Sequence, residues 1–299
     1  MMLELTGITK QFGAAGFSLG PVSFRLENGL HLLAGPNGAG KSTLLRMIAT
    51  VLRPDCGQIA WRNGDIYANG GYKRTLGYLP QTFGLYEEMT GWEFLQYMAG
   101  LKGLPPRLAR ERSDFVAIRF GIRQECRRRI ALWSMGLRQR LGLAQALLND
   151  PAVLILDEPF NGLDPEESRA VSAFLAQLSE ERVILISSHV LSGLAVTRLL
   201  LLRNGRLCFE GAPTAFINEA RGQVWSLTVS KDQWLKLPHH DSTGTIILED
   251  GQYRCNFIGE RPPDIPGVQV GEPGLEEAYI FWLRYNHSTS EEIRDDHPA

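Results

Sequence analysis

Hydrophobic and polar residues alternate through residues 3–8 and again through 22–26, the two-residue period of half-buried strands. Residues 30–34 are apolar nearly throughout and run directly into a glycine-rich stretch. Residues 43–52 (TLLRMIATVL) then change to helical spacing, predicted to end ahead of Pro54. Helical patterning dominates about residues 83–148, in WEFLQYMAGLKG, RLARERSDFVAIRFGI and LRQRLGLAQALL. Residues 153–156 and 183–186 are unbroken apolar runs, as suits central strands of a parallel sheet covered on both faces. A helix over 166–178, with Val171, Phe174, Leu175 and Leu178 on one side, joins them in a βαβ unit. Beyond about Pro213 the alternating pattern returns at 224–229 and 245–257, with Asp250-Gly251 predicted as a hairpin turn. An amphipathic helix is expected over 274–285.

These patterns predict an α/β core over residues 1–214, a small accessory domain over 220–285 and a polar tail over 286–299. The 299 residues suffice for one large domain and one small one, and 44% hydrophobic with 21% charged residues is ordinary for a globular chain. A formal net charge of -2 gives no reason to expect a nucleic-acid partner. The run Arg127, Arg128, Arg129 reads as a solvated face. Cys56, Cys126, Cys208 and Cys255 are too scattered for metal or redox spacing, which fits reduced thiols. The N-terminal MMLELTGITKQFG places no apolar stretch behind a basic start, so no signal peptide is expected. No apolar run approaches the ~20 residues that span a bilayer.

The strongest chemical signal is Gly35, Pro36, Asn37, Gly38, Ala39, Gly40, Lys41 and Ser42, followed by Thr43. Glycines at this spacing let successive N–H groups turn inward as a nest for phosphate oxygens, and the helix that follows adds its positive end. Lys41 would reach the β- and γ-phosphates and the Ser42 hydroxyl would ligate Mg²⁺. The buried strand 153–156 delivers Asp157 and Glu158 to the carboxyl edge of the sheet. There Asp157 would hold Mg²⁺, and Glu158 would orient or deprotonate an attacking water.

On these residues, over about 1–214, the chain resembles the ATP-binding subunits of ABC transporters. The resemblance implies a P-loop NTPase of ABC type: a RecA-like parallel sheet core, an N-terminal antiparallel β subdomain and a helical subdomain at about 83–148, here with a C-terminal α+β accessory domain. Phe12 matches the aromatic residue that stacks on adenine, and Gln81 in GYLPQ the glutamine that senses Mg²⁺ and couples to the membrane subunit. Ser134 and Gly136 fall in the signature segment, Asp164 in the segment Asn161-Gly162-Leu163-Asp164, and His189 in ISSHVL matches the switch histidine at the γ-phosphate. Met135 and Leu137 depart from the common Leu-Ser-Gly-Gly-Gln, as in some drug, antibiotic and bacteriocin exporters. Phe12 stands where tyrosine is more usual.

The implied activity is ATP hydrolysis aided by Glu158, His189 and Lys41, with ATP and Mg²⁺ bound. Two such domains would pack head to tail, each ATP lying between one chain's glycine-rich loop and the other's Ser134 and Gly136. The implied partners are a second nucleotide-binding subunit and a polytopic membrane permease. The implied location is cytoplasmic, on the inner face of the membrane. Phe83, Tyr86 and Trp92 would line the permease cleft. The segment Gly274 to Tyr279 resembles the C-terminal extensions of exporter subunits. The competing expectation is an ATPase of the same type acting on a non-membrane partner such as an assembly scaffold.

Overall fold

The structure is a computed structural model, and it describes all residues except 14–15, 69, 189–190, 192, 235–246, 250–251 and 286–299. The expected turn at Asp250-Gly251, the tail and His189 therefore lie outside the described residues. The chain divides into two compact units, one covering residues 1–211 apart from 190–192, the other continuing from 212.

The first unit opens with β1 (Leu3–Gln11), β2 (Ser18–Leu26) and β3 (Gly29–Ala34), followed by α1 (Lys41–Ile48) and β4 (Cys56–Trp61). Next come β5 (Gly64–Asp65), α2 (Gly71–Thr75) and β6 (Leu76–Leu79), then α3 (Gly91–Leu101), α4 (Pro106–Arg119) and α5 (Met135–Ala146). The unit closes with β7 (Val153–Asp157), α6 (Pro165–Ser179), β8 (Val183–Ser187), β9 (Arg198–Arg203) and β10 (Arg206–Gly211). Two sheets result: an antiparallel one ordered β2-β1-β4-β5, and a six-stranded one ordered β10-β9-β3-β8-β7-β6. The second is parallel except for the edge strand β10.

The alternation in β1, β2 and β4 turns Leu3, Leu5, Ile8, Phe24 and Ile59 inward against α1 and one face of the parallel sheet. Val153 and Ile155 of β7, Val183 and Leu185 of β8 and Leu200 and Leu202 of β9 supply that face. The intervening Leu154, Leu156, Ile184, Ile186, Leu199 and Leu201 are buried too, so the unbroken apolar runs reflect a sheet covered on both sides. The expected helix over 43–52 is offset: it begins at Lys41 and ends at Ile48. Thr50 turns to φ 58, and the Val51 N–H folds back onto the Arg46 carbonyl, which closes the helix well before Pro54.

In the helical insert, Thr90 and Glu93 cap α3 reciprocally and Pro106 opens α4. Asn149, just past α5, docks this layer on the sheet. Its amide donates to the carbonyls of Arg74 in α2 (2.9 Å) and Leu76 at the start of β6 (3.1 Å), and its oxygen accepts from Lys102 Nζ (2.9 Å).

The second unit holds α7 (Pro213–Glu219), β11 (Val224–Ser230), α8 (Lys231–Trp234), β12 (Ile247–Glu249), β13 (Gln252–Ile258), β14 (Gln269–Val270) and α9 (Leu275–Tyr285). Its sheet runs β12-β13-β11-β14, over a small core of Leu227, Val229, Cys255 and Phe257.

Burial pulls the Lys102 ammonium from 10.5 down to about 8. Between those two pH values the folded chain has released a proton that the unfolded chain still holds, so stability rises with pH across the window. Lys102→Met should abolish that rise in urea unfolding curves measured along it.

Candidate functional site

The in-register parallel ladder brings distant segments to one edge. Leu33 of β3 pairs with Ser187 of β8, Ser187 pairs with Asp157 of β7, and Leu156 pairs with Leu79 of β6. The glycine-rich loop, the acidic pair and the segment carrying Gln81 therefore all leave the sheet side by side. They enclose a cleft of about 430 Å³ lined by Asn37, Gly38, Ala39, Gly40, Lys41, Ser42, Thr43, Gln81, Asp157, Glu158 and Phe17.

Two glycines of the loop are fixed by space and backbone together. A Cβ on Gly35 (φ +153) would sit 2.1 Å from the Leu202 carbonyl oxygen. One on Gly40 (φ +103) would reach 2.8 Å from the Phe17 ring. Lys41 is buried at the start of α1, and its ammonium donates back to the carbonyls of Gly35 (2.7 Å) and Pro36 (3.2 Å). Desolvation lowers its pKa, opposed by the charges of Glu158 and Asp157.

Asp157 and Glu158 are buried at the mouth of β7. Ser187 joins them: its hydroxyl donates to Asp157 Oδ1 at 2.6 Å and accepts the Glu158 N–H at 2.9 Å. Asp157 Oδ2 is buried and has no hydrogen-bond partner among the described residues. A buried carboxylate oxygen left open beside the Ser42 hydroxyl and the Gln81 amide is a donor set of hard oxygens, which fits Mg²⁺. Glu158 itself adopts φ 53, a left-handed backbone uncommon outside glycine.

The remaining predicted residues stand elsewhere on this unit. Phe12 is 40% exposed and pairs with Phe17 at 6.4 Å between ring centroids, so it is Phe17 that reaches the cleft. Ser134 caps α5, its hydroxyl accepting the Leu137 N–H at 3.3 Å. Gly136 lies in the first turn of α5, where a Cβ would come 3.0 Å from the Gly162 carbonyl oxygen. The exposed Met135 lies over Gly162, whose added Cβ would be 2.9 Å from its Cγ. Asp164 caps α6 in a reciprocal pair with Glu167, which also holds Arg140 of α5 at 3.0 Å. Phe83 packs on Gly142 of α5, whereas Tyr86 is 52% exposed and meets Tyr97 edge-on at 5.5 Å.

Sequence reasoning missed Phe17 and Ser187. An aromatic residue just ahead of β2, a few places after Phe12, was the only local hint of the first. The second serine's position at the end of β8 became meaningful only through the strand register.

The chain matches the family described as ABC transporter over residues 19–161. It is 37% identical over 281 residues to an uncharacterized ABC transporter ATP-binding protein, all4389 of Nostoc sp. (strain PCC 7120 / SAG 25.82 / UTEX 2576), covering 88% of this chain and 82% of that one. It is 35% identical over 195 residues to the bacitracin transport ATP-binding protein BcrA of Enterococcus faecalis, covering 64% of this chain and 62% of that one. A solved structure of an ATP binding subunit of an ABC transporter superposes with a TM-score of 0.67 at 28% identity, over 73% of this chain and 93% of the other.

Ser187→Ala should cost about 1–3 kcal/mol of stability, because the buried Asp157 Oδ1 loses its donor. Equilibrium denaturation of the variant beside the parent chain measures it.

Proposed function

Because the chain belongs to the ABC transporter ATP-binding proteins, we propose that it hydrolyses ATP, dimerises around it and powers a membrane transporter of the exporter type. The observation that carries this reading is the single cleft uniting the glycine-rich loop, Lys41, Gln81, Asp157 and Glu158. No helix among the described residues is long and apolar enough to cross a membrane, and the partner proposed is a polytopic permease. Through it the subunit would sit on the cytoplasmic face of the membrane.

Loop N–H groups and the end of α1 would receive the phosphates of ATP. Lys41 would exchange its carbonyl partners at Gly35 and Pro36 for the β- and γ-phosphate oxygens, a trade of neutral acceptors for charged ones. The pair Phe12 and Phe17 would hold the adenine. Ser42, Gln81 and Asp157 would hold Mg²⁺, which would supply charge neutralisation on the phosphates. Glu158 would orient the water that attacks the γ-phosphorus as the bond to ADP breaks. His189 would contact the same phosphate.

A second copy or a related subunit would complete the site with Ser134 and Gly136. Leu132 and Met135, flanking Ser134, are 66% and 69% exposed, apolar surface that such a contact would cover. The segment from Gly274 resembles exporter extensions and would steady the dimer.

Lys41→Ala should weaken nucleotide binding by about tenfold or more, since a charge-assisted contact is removed; a fluorescent-nucleotide titration reads it. Glu158→Gln should keep that affinity, slow hydrolysis by at least about a hundredfold and accumulate an ATP-bound dimer in size-exclusion chromatography. Normal turnover in this variant would remove Glu158 from the role. Failure of any polytopic membrane protein to co-purify would leave the ATPase assignment standing and remove the transporter one.

A further inference from the structure

Glu158 is held in a backbone conformation that its own side chain does not favour. Its φ of 53 lies in the left-handed region, reached without glycine and at a cost that surrounding contacts must offset. Those contacts are visible on both of its peptide groups. On the amino side, the Glu158 N–H donates to the Ser187 hydroxyl (2.9 Å) and carbonyl (3.2 Å). On the carboxyl side, the Glu158 carbonyl accepts from Gln139 Nε2 and from the Asn161 N–H, both at 3.3 Å, and the next carbonyl, that of Pro159, accepts from the same Gln139 nitrogen at 3.0 Å.

Gln139 lies in α5, five residues beyond the capping Ser134, and is buried with only 8% exposure. Two carbonyl oxygens facing one side-chain terminus require an NH₂ group there. A carboxylate of the same length would repel both, and an aliphatic chain would deny both this donor. Proline at 159 cannot offer an N–H to any competing arrangement. The residue is thus matched to its place by chemistry as well as by volume.

We propose that Gln139 is a positioning residue: by pinning the carbonyls of Glu158 and Pro159 it fixes the backbone from which the Glu158 carboxylate is aimed, and it ties that aim to the placement of α5. This rests on the reading of Glu158 as the water-orienting carboxylate. With Gln139 removed, the carboxyl side of the left-handed residue loses two of its bonds and can relax, while the glycine-rich loop, which touches neither bond, keeps its nucleotide.

The test uses the intact chain with Gln139→Met, which preserves length, and Gln139→Glu, which preserves shape but removes both donors. MgATP hydrolysis is measured beside nucleotide affinity from a fluorescent-analogue titration and thermal unfolding of the nucleotide-free chain. The expected result is a kcat lower by roughly ten- to a hundredfold, as small misplacements of a reacting group produce. KM and nucleotide affinity should stay within about twofold. The combined Gln139→Met, Glu158→Gln variant should be no slower than Glu158→Gln alone. An unchanged kcat with an inactive Glu158→Gln overturns the positioning role and spares the catalytic one. Full activity in Glu158→Gln overturns the catalytic reading and this one with it. Parallel loss of nucleotide affinity and kcat, or failure of both Gln139 variants to fold, makes the residue a structural support and overturns the proposal.

Discussion

Ser187 stands in the parallel ladder with Leu33 on one side and Asp157 on the other, and that register governs the first unit. A shift of one residue would turn Ser187 onto the opposite face and break its bonds to Asp157 and to the Glu158 N–H. It would also move the exit of β3 relative to the exit of β7, and with it the glycine-rich loop relative to the acidic pair. The register is secured by burial on both faces, where every residue of β7 and β8 is enclosed. The apolar runs thus hold the strands and, through them, the spacing of the charged groups at their ends.

Those charges then face one another across little solvent. Lys41, Asp157 and Glu158 are all nearly buried, so their mutual attraction is weakly screened and their desolvation is costly. The two effects oppose each other at Lys41, where burial lowers the ammonium's pKa and the two carboxylates raise it. The ammonium meanwhile rests on the carbonyls of its own loop. A phosphate arriving in the cleft would add negative charge beside it and favour the ammonium form, so the site is arranged for an anionic ligand before one is present.

Much of this was legible in the chain itself. The glycine-rich loop, the strand delivering Asp157 and Glu158, and the βαβ unit between them depend on contiguous residues, and local patterns report contiguous residues well. The links that hold the site were not legible, because each joins segments far apart in sequence. Ser187 reaches Asp157 across 30 residues and Gln139 reaches Pro159 across 20. Phe17 rather than Phe12 reaches the cleft, a difference that no periodicity encodes. The early end of α1 is hidden for a related reason: the apolar spacing of 43–52 continues past the point where Thr50 leaves the helical region.

The departures in the signature segment also take on a physical sense. In the first turn of α5, Met135 replaces a glycine of the common pattern, yet its side chain lies across Gly162 and Gly136 keeps the close approach to the carbonyl there. Leu137 contributes its N–H to the Ser134 hydroxyl, a bond that any residue but proline would make. One turn later on this helix, the side chains of Gln139 and Arg140 bind the turn after β7 and the capping Glu167 of α6. If Ser134 faces a nucleotide on a partner, α5 meets that nucleotide at its tip and, one turn on, is bonded to the backbone carbonyls of Glu158 and Pro159. The variation tolerated at the tip and the bonds made one turn later then belong to one design: the tip needs backbone groups and a hydroxyl, and the following turn needs donors matched to two particular carbonyls.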